Sequence, residues 1–366
     1  MNANGTLIPD RNISVPLAFI SSWHRALWKS QGTATTLCRF TPGLHTTARE
    51  TTMYRLTMFS LIGLAALAAF RNSADASVTL TQGEDTVVIK INDREFSTYN
   101  FNADLPKPFM FPVRGSDGTV LTRDIIYDRS KGDHPHHKGI WVAVDEVGGV
   151  KHWAEAGKII NRDIELVVER GNPAQMRVTN QWLDEEEKPV VTETTLISIF
   201  DSGLFAYDIR FTPERDEPIE FGDTKEGLFG FRMIDSMQEK PKKYDGPGGV
   251  VKSATGEIGT GDTWGRPNDW IDYYGQVEGS GKTFGVALFD HPLNFRRSRY
   301  HVRNYGLFSI NPFGQAAYTG RKRPADPFYL LPGAELRLRY GLYIHEGDTE
   351  QADVAGTYIG YLKSGL

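Results

Sequence analysis

From Ser77 onward the chain alternates apolar and polar residues with a period of two, segment after segment. In Ala334–His345, Leu336, Leu338, Tyr340, Leu342 and Ile344 share one face, while Glu335, Arg337 and Arg339 share the other. A strand with one buried face has this pattern, because successive side chains point to opposite sides. Lys282–Phe289 alternates through Phe284, Val286 and Leu288, Gly203–Phe211 through Phe205, Tyr207 and Ile209, and Gln175–Trp182 through Met176 and Val178. Lys188–Phe200 is rich in β-branched residues and reads as a long strand. Turn formers punctuate these runs at Gly171-Asn172-Pro173, Asp201-Ser202-Gly203, Asp245–Gly249 and Glu278–Gly281. Strands at this spacing, with no helices between them, predict antiparallel pairing. So many strands bury both inner faces most simply as an all-β, antiparallel two-sheet sandwich. One helix is expected near Thr349–Lys363, with Val354, Ala355, Tyr358, Ile359 and Leu362 on a stripe.

The first 76 residues read differently. Met53-Tyr54-Arg55, an apolar run from Met58 to Phe70 and Ala74-Asp75-Ala76 form the basic, apolar and small-x-small parts of a signal peptide. The apolar run is shorter than the roughly 20 residues a membrane span needs. Residues 53–76 are therefore expected to direct the protein to a secreted or periplasmic location. Residues 1–52 are then expected to be either a mis-assigned stretch ahead of the true start at Met53 or a disordered N-terminal extension, and 77–366 a single mature domain with no stable membrane insertion.

This division changes the chemistry available. The one cysteine, Cys38, precedes the mature part, which leaves that part with no disulfide or thiolate. Residues 1–76 carry 7 of the 41 Lys and Arg and 3 of the 46 Asp and Glu, which leaves 34 against 43 and a net charge of −9. That acidic balance argues against nucleic acid as a partner. No P-loop, G-x-G-x-x-G, G-x-S-x-G or H-E-x-x-H occurs, so a nucleotide cofactor is not expected.

The densest polar cluster is Asp133-His134-Pro135-His136-His137-Lys138-Gly139, which holds three of the seven histidines of the mature part. In an extended chain His134 and His136 would point to one side and His137 to the other. Such a pair can ligate a divalent metal, with His291 as a third ligand, or divide base and oxyanion roles. Asp223-Thr224-Lys225-Glu226-Gly227 places charges just ahead of a strand. Trp270-Ile271-Asp272-Tyr273-Tyr274 sets an aromatic, a carboxylate and an aromatic on one strand face, an arrangement suited to a sugar ring. Asp290-His291-Pro292-Leu293-Asn294, Arg303-Asn304-Tyr305 and Asn311 complete the candidates.

These motifs, in this order, resemble a family of secreted bacterial proteins of the PmoA-like type, labelled "methane oxygenase PmoA". The resemblance spans most of 80–346 and implies a galactose-mutarotase-like supersandwich with, by association, a carbohydrate or other small polar substrate. Its label implies a metal-dependent oxygenase as an alternative. The reading expected for the mature part is a carbohydrate-active enzyme of hydrolase, lyase or epimerase type. Its catalytic groups are His134, His136, His137, Glu226, Asp272, His291 and Arg303. In it, His136 or His134 is the base, Glu226 or Asp272 the acid or hydroxyl acceptor, and Arg303 the oxyanion partner. Asp133, Lys138, Asp223, Lys225, Trp270, Tyr274, Asp290, Asn294, Tyr305 and Asn311 are expected to bind substrate. A non-catalytic carbohydrate-binding module stacking sugar on Trp264, Trp270 and Tyr274 is a further alternative. All of these readings assume that the separate motifs converge in space.

Overall fold

The computed structural model describes residues 77–127 and 132–365. The signal peptide and the extension before it lie outside the described residues.

Two antiparallel sheets carry the structure. The first has nine strands, in the spatial order Arg299–Val302, Leu307–Asn311, Phe229–Arg232, Ile140–Val142, Phe109–Val113, Arg94–Asn100, Thr86–Ile91, Val78–Gln82 and Arg170–Gly171. The second has eight, in the order Val250–Ser253, Trp270–Gln276, Thr283–Asp290, Leu336–Glu346, Leu204–Pro213, Pro189–Ile199, Ala174–Leu183 and Lys158–Val168. A small third sheet pairs Ile219–Phe221 with Phe328–Leu330. The strands expected from the sequence are present to within two residues at either end.

The alternation works as the sequence reading expects. Leu336, Leu338, Tyr340, Leu342 and Ile344 are buried, and so are Phe205, Tyr207, Ile209 and Phe211 on the neighbouring strand. They meet residues of the nine-stranded sheet across a shared core. The ring of Tyr207 lies 4.4 Å from that of Phe229, and its hydroxyl reaches Met110 Sδ at 3.5 Å. Burial of this apolar area is the main term holding the two sheets together.

The C-terminal helix, Val354–Lys363, covers the opposite face of the eight-stranded sheet. Asp353 caps it, accepting from the backbone N–H of Gly356. The buried stripe is Val354, Tyr358 and Tyr361, whereas Ile359, expected to face inward, is half exposed. The stripe closes over Trp270, Ala287 and Phe289. The eight-stranded sheet is therefore covered on both faces near these strands. No helix among the described residues is long and apolar enough to cross a membrane.

Candidate functional site

The histidine segment leads directly into Ile140–Val142, near the middle of the nine-stranded sheet. It is a tight turn, not an extended run. The His137 N–H donates to the His134 carbonyl at 3.1 Å, with Pro135 at the second position of the turn, where its fixed φ is favoured. His134 takes a φ of 53°. The turn corrects the expectation from extended geometry, because His134 and His137 share a side and stack at 4.8 Å and 4°, while His136 stands edge-on to His137 at 80°.

Buried cations fix the turn from behind. Arg123 donates to the carbonyl oxygens of Asp133, His134 and His137. Lys107, fully buried, donates to the His136 carbonyl at 2.9 Å and to Glu155 Oε1 at 2.9 Å. Lys138 is buried as well, with its ammonium on the Pro135 carbonyl at 2.7 Å and 3.5 Å from Glu155. Gly139 ends the turn at φ 58°, and a Cβ there would stand 1.9 Å from the Met110 carbonyl oxygen. Only glycine fits.

A column of flat rings rises from the turn. Trp141 stacks on His137 at 5.5 Å, His137 on His134, and His134 on Tyr305 at 5.1 Å. The guanidinium groups of Arg232 and Arg303 lie 4.8 Å and 5.6 Å from the Tyr305 ring centre, in cation–π range. Arg232 is buried and bridges the column, holding Asp133 Oδ2 at 2.7 Å and approaching His137 Nδ1 at 3.5 Å. Because a guanidinium only donates, any hydrogen bond in this contact has His137 Nδ1 as the acceptor. Gly230 makes room for the column, since a Cβ there would come within 2.7 Å of the Trp141 ring.

Glu226 arrives from the other side, on the loop between Phe221 and Leu228. This loop crosses the face of the sheet turned away from the core. Asn311 donates to the Thr224 carbonyl at 2.9 Å, Ser309 to the Gly227 carbonyl at 2.9 Å and Tyr318 to the Lys225 carbonyl at 2.7 Å. His301 points to the same face, its Nδ1 donating to the Lys225 carbonyl at 3.1 Å and lying 3.7 Å from Glu226 Oε2. Lys225 reaches Glu226 Oε1 at 2.8 Å.

The electrostatics assign protonation states. Burial, and then the Lys107 ammonium, push the His136 pKa down to about 4. Burial does the same to His301, to about 4, only partly opposed by Glu226. Burial raises Glu226, but His301, Lys225 and His136 together outweigh it and hold the carboxylate below its usual range. Burial raises the Tyr305 phenol against the opposing Arg303 and Arg232. Near neutral pH the site thus holds a carboxylate, two neutral imidazoles and a protonated phenol. Of the roles expected for Glu226, acid or hydroxyl acceptor, the ionised form suits the acceptor.

The expected convergence holds for Asp133, His134, His136, His137, Lys138, Lys225, Glu226, Arg303 and Tyr305. Two further candidates frame the site. Asn311 anchors the Glu226 loop, and Asp223 accepts from the backbone N–H groups of Ala316, Ala317 and Asp326. The rest lie on strands of the eight-stranded sheet or in the turn that follows one of them. Trp270, Asp272 and Tyr274 do share a strand face, but it is the outer face of the eight-stranded sheet. There Asp272 is fully buried against His345 Nε2 at 3.0 Å and Thr349 Oγ1 at 2.6 Å. Asp290 accepts from the Ser298 N–H at 2.9 Å and from Asn294 at 2.9 Å, and Asn294 also bonds the backbone of Arg339. His291 meets Tyr361 edge-on at 5.7 Å and feels Arg339, Arg337 and Asp208. It therefore cannot join His134 and His136 around one metal. Among the described residues no three His, Cys, Asp or Glu side chains form a group able to hold a metal ion.

Sequence reasoning gave no role to Arg232 and His301, although both lie within the segments Gly222–Arg232 and Tyr300–Gly306 that it singles out, and it did not reach Lys107 or Glu155. Arg232 had a local signal, a charged residue closing the apolar strand Phe229–Arg232 directly after the small Gly230. His301 alternates with the buried Tyr300 and Val302 and so points to the opposite face.

The protein is thus an antiparallel β-sandwich with a histidine–carboxylate site on the outer face of its nine-stranded sheet. Residues 86–358 match the family of unknown function DUF6807, and the chain belongs to that family. This overturns the resemblance to PmoA-like proteins, and the oxygenase alternative, which rested on that label, goes with it. No curated protein matches the sequence. Among solved structures, the chain is similar to galactose 1-epimerase from Lactobacillus acidophilus, at 8% identity and a TM-score of 0.35, over 74% of this chain and 98% of that one. It is similar to a GalM/aldose epimerase homologue from C. elegans, at 12% identity and a TM-score of 0.33, over 74% and 99%. It is also similar to the GH36 α-galactosidase AgaA from Geobacillus stearothermophilus, at 9% identity and a TM-score of 0.33, over 74% of this chain. The matched region spans 40% of the α-galactosidase's length.

Proposed function

We propose that this protein is a carbohydrate-active enzyme that moves protons on a sugar or oxidised sugar, in a reaction of the epimerase, lyase or hydrolase type. The observation that carries the reading is the meeting of an ionised Glu226 with a neutral His136 and a neutral His301 on one partly open face. General acid–base chemistry needs groups of unlike protonation within reach of one substrate. Glu226 accepts the proton. The Tyr305 hydroxyl and the Arg303 guanidinium stand where a developing oxyanion would be met by a donor and a positive charge. His136 accepts a hydrogen bond from a substrate hydroxyl and orients it. A polyhydroxylated ring suits a face that offers an aromatic edge together with donors and acceptors of both signs.

Of the aromatic residues on which a non-catalytic binding module would stack sugar, Trp270 is buried beneath the C-terminal helix, whereas Trp264 lies beside His301. We also propose export to a secreted or periplasmic location through the segment beginning at Met53.

The test is proton NMR of the protein with a panel of aldoses, uronic acids and oligosaccharides, following anomer exchange, solvent deuterium incorporation and product formation. The expected result is turnover of at least one class, with kcat reduced about 10²- to 10⁴-fold in Glu226→Gln. Folded Glu226→Gln and His136→Gln proteins that both keep wild-type turnover would remove the assignment.

A further inference from the structure

A polar cavity lies against the strand Arg299–Val302, which also carries His301. It has a volume of about 260 Å³ and is lined by Arg296, Arg297, Arg299 and Arg323, with Pro267, Pro312 and Phe313 among its apolar wall residues. Four guanidinium groups around one cavity are unexpected in a chain whose net charge from Ser77 onward is −9. Two of them are neutralised locally. Arg296 pairs with Asp326 at 3.2 Å, and Arg297 with Asp269 at 2.7 Å and Asp290 at 3.5 Å. Arg299 donates only to a neutral acceptor, the Gly265 carbonyl, at 2.7 Å. Among the described residues neither Arg299 nor Arg323 pairs with a carboxylate. Asp223, whose charge Arg299 feels, is occupied by three backbone N–H groups, and Asp326, which also lines the cavity, pairs with Arg296. Burial and the facing Arg323 push the Arg299 pKa below the usual value. Two like charges facing one another across a cavity leave a place where an anion relieves the repulsion, and the planar guanidinium fork matches a carboxylate or sulfate in a bidentate manner.

The position of the cavity connects it to the catalytic face. Arg299 and His301 are two residues apart on one strand and so point to the same side. At about 3.3 Å of rise per residue their stems are roughly 7 Å apart. The wall between them is aromatic, with the rings of Trp264 and Tyr318 each about 6 Å from that of His301.

We infer that the arginine cavity binds the anionic substituent, carboxylate or sulfate ester, of a sugar next to the one held over Glu226, which makes the enzyme selective for acidic carbohydrates. This deepens the proposed function and rests on it for the identity of the neighbouring ring, but the anion site itself is measurable without turnover.

The experiment is isothermal titration calorimetry of the full chain with D-glucuronate, D-glucose and inorganic sulfate. Arg323→Gln is the safest variant, because Arg323 is exposed and its side chain holds no other element, and Arg299→Gln is run beside it, with Arg177→Gln, whose guanidinium pairs with Glu165 on the eight-stranded sheet, as the control. Glucuronate is expected to bind more tightly than glucose. Its affinity should fall at least tenfold in Arg323→Gln and Arg299→Gln and weaken as salt rises, and should be unchanged in Arg177→Gln. Failure of both anions to bind overturns the inference, as does wild-type glucuronate affinity in both arginine variants. Binding of sulfate without glucuronate also overturns it, by making this a site for loose anions. If anion binding holds while Glu226→Gln keeps its turnover, only the catalytic reading falls.

Discussion

Gly230 lacks a side chain where Trp141 lies flat across the strand, and this one absence sets the height of the whole ring column. Alanine there would push its Cβ into the indole, 2.7 Å away in the present geometry. Overpacking of this kind costs about 1–3 kcal/mol. The expected result for Gly230→Ala is a lower Tm together with a change in tryptophan fluorescence, and unchanged values of both would show that the column does not depend on the glycine. The protonation states make a second prediction at this scale. His136, held near pKa 4, is neutral at pH 7 and takes a proton as pH falls through about 4. Once charged it can no longer accept a hydrogen bond from a substrate hydroxyl. The acid limb of a kcat/KM profile is therefore expected near pH 4, well below the ordinary histidine range, and a limb near 6.5 would mean that an unshifted group controls the rate.

Among the elements, the loop carrying Glu226 depends on two strands other than its own. Asn311 is fully buried and holds this loop through the Thr224 carbonyl. Asn311→Ala leaves that carbonyl without its partner, at a cost of about 1–3 kcal/mol. It is expected to lower kcat more than it raises KM, because it releases the base and leaves the histidine turn in place. A change confined to KM would assign Asn311 to substrate contact. The strands themselves were legible in the sequence, because Leu336 to Ile344 or Phe205 to Phe211 can satisfy a period of two in only one way. Which outer face stays open was not legible. Trp270, Asp272 and Tyr274 alternate as a sugar-stacking stripe would, yet the C-terminal helix closes over that side of the sheet. Period two separates the two faces of a strand but does not say what covers either. The histidine turn was found because its residues are adjacent in sequence. Arg232 and His301 were not, because their meaning arises only when strands far apart in the chain become neighbours.

At the scale of the whole molecule, stability carries the imprint of histidines that fold in their neutral form. His152 is buried, donates from Nε2 to the Leu183 carbonyl and is held near pKa 4 by burial. Between about pH 6.5 and 4 the unfolded chain binds a proton there that the folded protein refuses, so stability falls as pH drops through that window and levels off below it. The contribution is up to roughly 3 kcal/mol. His152→Gln is therefore expected to lose less stability than the wild type between pH 6.5 and 4 in urea titrations, and parallel curves would refute the assignment. Export makes a separate prediction. The mature protein recovered from outside the cytoplasm should begin at Ser77, as read by mass spectrometry of its N-terminus, and a mature chain still carrying residues before Met53 would exclude the segment as a leader. Finally, the order of strands around the site bears on how activity is acquired. The strand after the histidine turn lies between partners that begin at Phe109 and Phe229, and the hairpin that brings His301 and Tyr305 lies one strand further out. The reacting groups come from segments far apart in the chain, His136 from the turn ahead of Ile140–Val142, Glu226 from the loop ahead of Phe229–Arg232, and His301 and Tyr305 from the hairpin near the end of the sheet. Such non-local pairing is slow, because loop closure precedes the contacts that reward it. During refolding, secondary structure should therefore return first and turnover last, so that regained activity serves as a clock for completion of the entire sheet.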